Sequence, residues 1–246
     1  MKQVGDNLVI IKVVCNFLHP FLISLMKTQR EQRNQILHII NDHPTYVGKN
    51  AIYVVNHSCR YDIPIAGEII GTHTCFLIGK QKLYLLDYLA FLLNGVVWVD
   101  RESRKSKKVA FQKMLTCLGR GLNMCVFPEA TWNLTPSKPM LPMYWGVIDL
   151  AKQSGCPIVP LVLEFRDNAC YAQFGEPIYC LPDDEKKDKF MKLEEAMATI
   201  KWEIWESFPI EKRQDINMDE WDIEVEKRLS EYPLLDYENE KRFIRS

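Results

Sequence analysis

Among its eight cysteines the chain has no C-x-x-C pair and no clustered Cys/His spacing, which argues against a structural zinc centre. The sequence also lacks internal repeats and low-complexity linkers, so a second domain has no support. No G-x-S-x-G elbow and no RNA- or DNA-binding motif occurs. Uninterrupted hydrophobic runs are missing as well. Leu8 to Met26 is largely apolar, but Lys12, Asn16 and the pair His19-Pro20 break it, and no small-residue cleavage site follows. A secretory signal peptide is therefore not expected, and lying in a membrane interface or packing on the domain suits the segment better than spanning.

Net charge is scarce too, at −1, but it is unevenly distributed. Residues 183–246 hold 12 Lys/Arg and 19 Asp/Glu, whereas residues 1–182 hold 19 and 13. A body with a balance of +6 and a C-terminal region at −7 suit a surface that meets anionic material and an acidic part that faces solvent. The basic run Arg104-Lys105-Ser106-Lys107-Lys108 faces anionic lipid or solvent on this reading, and nucleic acid is not an expected partner.

Hydrophobic residues make up 47% of the 246, enough for one sizeable core. Short apolar runs alternate with helical periodicity along most of the chain. Strands are predicted at Ala51–Val55, Thr74–Ile78, Val96–Val99, Asn123–Phe127, Pro157–Phe165 and Ala169–Phe174. Helices are predicted at 29–40, 63–70, 82–93, 104–118, 147–153, 186–207 and 219–229. In the first, Ile36, Leu37 and Ile40 share a side, and Asp42-His43-Pro44 ends it. In the fourth, Val109, Met114 and Leu118 are expected to face inward. The pattern defines an α/β fold: a single domain with a mixed, mainly parallel sheet flanked by helices. Residues 1–48 form an N-terminal helical, membrane-associating segment, 49–182 the core, and 183–246 an acidic helical extension of the same domain.

Candidate chemistry begins at Asn56-His57-Ser58-Cys59-Arg60-Tyr61-Asp62, between a predicted strand and a predicted helix. Five helical steps leave His57 and Asp62 about 140° apart, so they meet only if the chain bends between them. A carboxylate holding one ring nitrogen leaves the other to accept a proton from a hydroxyl. On spacing alone, a helix-capping Asp beside an unrelated surface His fits better. A Cys59 nucleophile with His57 as base is a further possibility, giving a thioesterase.

Four later segments join this one in order: Gly95-Val96-Val97-Trp98-Val99-Asp100-Arg101, Phe127-Pro128-Glu129-Ala130-Thr131-Trp132-Asn133, Ile158-Val159-Pro160-Leu161 and Phe174-Gly175-Glu176-Pro177-Ile178. Together they resemble the glycerolipid acyltransferase family, PlsC-like proteins with an H-x4-D motif that include lysophosphatidic acid acyltransferase. The likeness runs from about Ala51 to Ile178. It implies an O-acyltransferase in which His57 takes the proton of an acceptor hydroxyl, Asp62 orients the imidazole, and no covalent acyl-enzyme forms. It implies substrate-binding roles for Arg101, Glu129 and Thr131, no metal and no cofactor. Acyl-CoA, acyl carrier protein or an acyl phosphate would be the co-substrate, and a membrane lipid the acceptor, at the cytoplasmic face of a membrane as a peripheral or monotopic protein. A non-catalytic lipid-binding protein on the same fold is the other expectation. Two departures bear on the acceptor: Ala130 stands where the family has glycine, and Trp132 where it has an arginine. Losing that charge points away from a phosphorylated acceptor, unless other basic residues such as Lys80 or Lys138 hold the phosphate. Trp132 and Trp145 either stack on a sugar or pack in the core.

Overall fold

Short β-branched runs build the frame. Ile36–Ile39 (β1), Ile52–Val55 (β2), Thr74–Gly79 (β3), Val96–Val99 (β4), Asn123–Val126 (β5), Ile158–Arg166 (β6) and Ala169–Phe174 (β7) make one sheet of order β1-β7-β6-β2-β5-β3-β4. The structure is a computed structural model that describes residues 3–48, 50–208 and 218–244. Five adjacent strands, β6 to β4, run parallel; β7 turns back antiparallel to β6, and β1 lies parallel to β7. Every residue of β2 and β5 is buried, because helices cover both faces of the parallel part, and this is why those strands read as unbroken apolar runs.

Alternate residues of each strand point to opposite faces. Ile52, Val54, Met124, Val126 and Ile158 pack with helices Arg104–Gly119 (α4), Gly146–Ser154 (α5) and Lys186–Glu206 (α6). Tyr53, Val55, Cys125, Val159 and Leu161 pack with helix Asp62–Ile70 (α2) on the other side. Helix Gln3–Gln32 (α1) lies against α2 and against Leu85–Asn94 (α3). Gly67 of α2 permits that approach, since a Cβ there would meet Met26 Sδ at 3.2 Å. Arg30 fixes the same junction through two bonds to the Glu68 carboxylate, at 2.9 and 2.8 Å. Helices Met218–Ser230 (α7) and Tyr237–Glu240 (α8), with a 3-10 turn at Lys241–Phe243, complete the described chain. No helix among the described residues is long and apolar enough to cross a membrane.

Three expectations are corrected. The helix predicted over 29–40 does not exist as such: α1 stops at Gln32, Asn34 takes a left-handed φ of 53°, and Gln35 N–H bonds back to Arg30 C=O. Ile36–Ile39 then pairs with Ala169–Ala172 as a strand, so the N-terminal 48 residues are not wholly helical. In α4, Met114 and Leu118 face inward with Ala110, while Val109 is exposed. Positions 110, 114 and 118 repeat every four residues along one stripe, and position 109 lies about 140° from 114. Finally, the acidic C-terminal region does not merely face solvent. Leu193, Met197, Ile200 and Ile204 of α6 are core residues, and Glu240 of α8 is buried. The cysteines with described side chains carry free thiols, five of them buried; the side chain of Cys15 lies outside the described residues.

Candidate active site

The chain leaves β2 at Val55 and reaches α2 at Asp62 through an irregular loop. Asn56 fastens the root of that loop to β6. Its amide NH2 donates to Leu163 C=O at 2.9 Å, and its Oδ1 accepts from Leu163 N–H at 2.7 Å. The loop folds back on itself, so His57 Nδ1 lies 2.7 Å from Asp62 Oδ2. Asp62 is fully buried. Its Oδ2 also accepts from the backbone N–H groups of Ser58 (2.5 Å) and Cys59 (2.9 Å), and Oδ1 accepts from Ser58 Oγ at 3.2 Å. These donors precede Asp62 in the chain, so the carboxylate organises the histidine loop and does not cap α2. A carboxylate only accepts, so Nδ1 carries the hydrogen and Nε2 presents its lone pair. Nε2 has no hydrogen-bond partner among the described residues, and His57 borders a cavity of about 890 Å³.

Because β5 lies beside β2, the loop after β5 meets the histidine loop. Glu129 is fully buried and ties the two together: Oε1 accepts from His57 N–H at 2.8 Å and Oε2 from Leu141 N–H at 2.7 Å. Burial pushes its carboxyl up to about 8, against the opposing pull of those two N–H groups. In return, Asn133 N–H donates to His57 C=O at 2.6 Å. The Phe127 ring lies 4.6 Å from the imidazole, and the Trp132 ring meets it edge-on at 6.1 Å. Trp132 is 5% exposed and packs with Leu134 and Tyr232, so it belongs to a small satellite core. Trp145 stacks on Phe190, on the α6 side.

Of the residues expected to bind substrate, Arg101 and Thr131 line the cavity. The buried Thr131 hydroxyl has no hydrogen-bond partner among the described residues. Glu129 is different: its carboxylate does not border the cavity, and both oxygens are taken by backbone donors. It joins the His57 loop to the segment at Leu141. Lys80 and Lys138 are exposed and are not part of the cavity wall, whose cations are Arg33, Arg60, Arg101 and Lys107. Much of the remaining wall is apolar, including Phe21, Leu22, Leu25, Leu89 and Phe91. Sequence reasoning did not pick out Asn56, Leu141 or Glu240. Asn56, a polar residue directly after a fully apolar strand, carried a usable signal; the other two carried none.

Cys59 is 4% exposed, with Sγ 3.6 Å from Asp62 Oδ1. Burial, together with the Asp62 charge, pushes its thiol well above the usual range. A thiol so placed is a poor nucleophile.

A strand-end histidine held by a buried carboxylate faces a largely apolar cavity on a mainly parallel sheet. The family model described as Acyltransferase matches residues 28–164, more than half of the chain, and the chain belongs to that family. Its curated relatives include a 1-acyl-sn-glycerol-3-phosphate acyltransferase of Saccharomyces cerevisiae, 29% identical over 52% of this chain and 43% of the relative. The Escherichia coli protein of the same name is 28% identical over 48% of this chain and 49% of its own length. The alpha form of Homo sapiens is 32% identical over 48% and 42%. The match thus spans less than half the length of each of these relatives. The solved 1-acyl-sn-glycerophosphate acyltransferase PlsC of Thermotoga maritima superposes with a TM-score of 0.61 over 82% of this chain and 84% of that one, at 17% identity. It shares the fold.

Proposed function

We propose that the chain transfers a fatty acyl group from a thioester donor to the hydroxyl of a lysophospholipid-like acceptor, with His57 as general base. The observation that carries this reading is the His57–Asp62 pair, which fixes one imidazole tautomer and aims Nε2 at a largely apolar cavity. As the acceptor oxygen attacks the acyl carbonyl, its proton passes to Nε2. Asp62 stabilises the imidazolium that forms. When the tetrahedral intermediate collapses, the C–S bond breaks and the leaving thiolate takes that proton back. Thr131 borders the cavity that takes the substrate, and Glu129 holds the His57 backbone. Coenzyme A and acyl carrier protein both present the required thioester, and an acyl phosphate presents the same activated carbonyl; none is needed as a resident cofactor.

The reading extends to a lipid surface. Leu86 and Leu89 of α3, and Phe21 and Leu25 of α1, line the cavity and are also exposed, while Arg104, Lys105, Lys107 and Lys108 are exposed on α4. An apolar cavity rim with a basic helix on the same molecule suits peripheral or monotopic attachment to an anionic cytoplasmic leaflet.

The test is transfer of labelled acyl chains from acyl-CoA and acyl carrier protein to a panel of detergent-solubilised lysolipids by the purified chain. Product that depends on His57 supports the proposal. Binding of lipid without transfer, under every donor, would leave a non-catalytic lipid carrier as the better reading. A Cys59→Ser variant separates direct transfer from a thiol mechanism: it is expected to work at or close to the parent rate, and loss of all activity would point to an acyl-cysteine intermediate.

A further inference from the structure

Arg101 lines the same cavity as His57, and its guanidinium is enclosed. One face lies over Gly79, where an added Cβ would meet Arg101 Nε at 2.9 Å. The Phe243 ring covers the guanidinium at 4.1 Å. Nη1 donates to the Ala130 carbonyl, and Nη2 donates to both oxygens of Glu240, at 2.6 and 2.5 Å. The fork that would grip a phosphate already grips a carboxylate.

The segment that supplies this carboxylate is fastened to the site. Tyr237 Oη donates to Trp132 C=O at 3.1 Å, Tyr144 Oη donates to Phe243 C=O at 3.0 Å, and Arg242 pairs with Glu102 at 2.5 Å. Asp236 caps the turn by accepting from Asn239 N–H. The other cations of the wall are committed elsewhere or open to solvent: Arg33 and Arg60 stack on Tyr61, Arg60 also donates to Glu231 C=O, and Lys107 is exposed on α4.

We propose that Glu240 sets the acceptor class: with Arg101 neutralised in place, the site takes a hydroxyl lipid whose head carries no phosphomonoester. Such an acceptor has an uncharged or phosphodiester head. A terminal phosphate, doubly charged near pH 7, would meet Glu240 as a like charge and would find the Arg101 fork occupied. This deepens the acyl-transfer reading and rests on it.

The experiment uses the purified full chain and the variants Glu240→Gln and Glu240→Ala. Three acceptors of equal chain length are compared: lysophosphatidate, lysophosphatidylglycerol and monoacylglycerol. Each is assayed for acyl transfer and, separately, for binding by tryptophan fluorescence below its micellar concentration. The parent protein is expected to favour the two heads without a phosphomonoester. Both Glu240 variants are expected to gain about ten- to a hundredfold in kcat/KM and in affinity for lysophosphatidate, the range a released charge-assisted bond allows. A parent protein that prefers lysophosphatidate overturns the proposal, as do variants whose selectivity is unchanged. Tyr237→Phe loosens the segment without touching charge and is expected to keep the parental selectivity. If it gains lysophosphatidate transfer as the Glu240 variants do, the segment is a displaceable latch and Glu240 does not define the class. If no acceptor is acylated by any form, the acyl-transfer reading fails. The binding measurements then still decide the role of Glu240.

Discussion

His57→Ala is expected to lower acyl transfer by about 10²- to 10⁴-fold, the usual contribution of a positioned general base, or roughly 3–5 kcal/mol of barrier. Binding of lipid should change little, because the apolar wall does not depend on the imidazole for its place. Single-turnover rates beside equilibrium binding would separate the two effects. Asp62→Asn is expected to be nearly as damaging through a different route. The amide oxygen can still accept from His57 Nδ1, Ser58 N–H and Cys59 N–H, which all converge on Oδ2, but a neutral amide no longer stabilises the imidazolium that forms during transfer. An unchanged turnover in the His57→Ala protein would remove the proposed mechanism.

Glu129→Gln should cost both stability and rate. Glutamine puts an NH2 where one of the two carboxyl oxygens stands, so either His57 N–H or Leu141 N–H loses its acceptor in a fully buried place. An unmade buried bond costs about 1–3 kcal/mol, and a slight shift of the His57 backbone can cost about a hundredfold in rate. The pH dependence carries a sign. The Glu129 carboxyl is held at about 8 in the folded chain, above its ordinary 4.5, so the folded state binds the proton more tightly. Its contribution to stability is therefore complete below pH 4.5 and declines as pH rises toward 8. Thermal melts of the parent protein should show that decline, and melts of Glu129→Gln should be flatter over the same window. Parallel curves would mean that Glu129 does not titrate as its burial requires.

The parts of the site that were readable lie close together in the chain or follow adjacent strands. His57 and Asp62 share one loop, and Glu129 and Arg101 sit just past apolar runs that form β5 and β4. A parallel sheet brings such strand ends to one edge, so order along the chain was enough to group them. The two backbone N–H donors on Glu129, from His57 and Leu141, were not readable, because no residue type announces them. Glu240 was hidden more deeply, since it reaches Arg101 across 139 positions from a region whose charge suggested only solvent. The β1 error has a plain cause: Ile36, Leu37 and Ile40 satisfy a helical stripe, and only pairing with β7 makes them a strand.

Ala130, in the loop after β5, takes a φ of 61°, a conformation that glycine adopts freely and alanine at a cost of about 1 kcal/mol or more. The neighbourhood sustains it: Arg101 binds its carbonyl, and Asn133 N–H holds the His57 carbonyl nearby. A glycine there would give the loop many more shapes to wander through before substrate arrives. With alanine, most of those shapes are closed off in advance, so less ordering is left to be done at the moment of binding. The strain is the reverse side of a loop already set for its ligand.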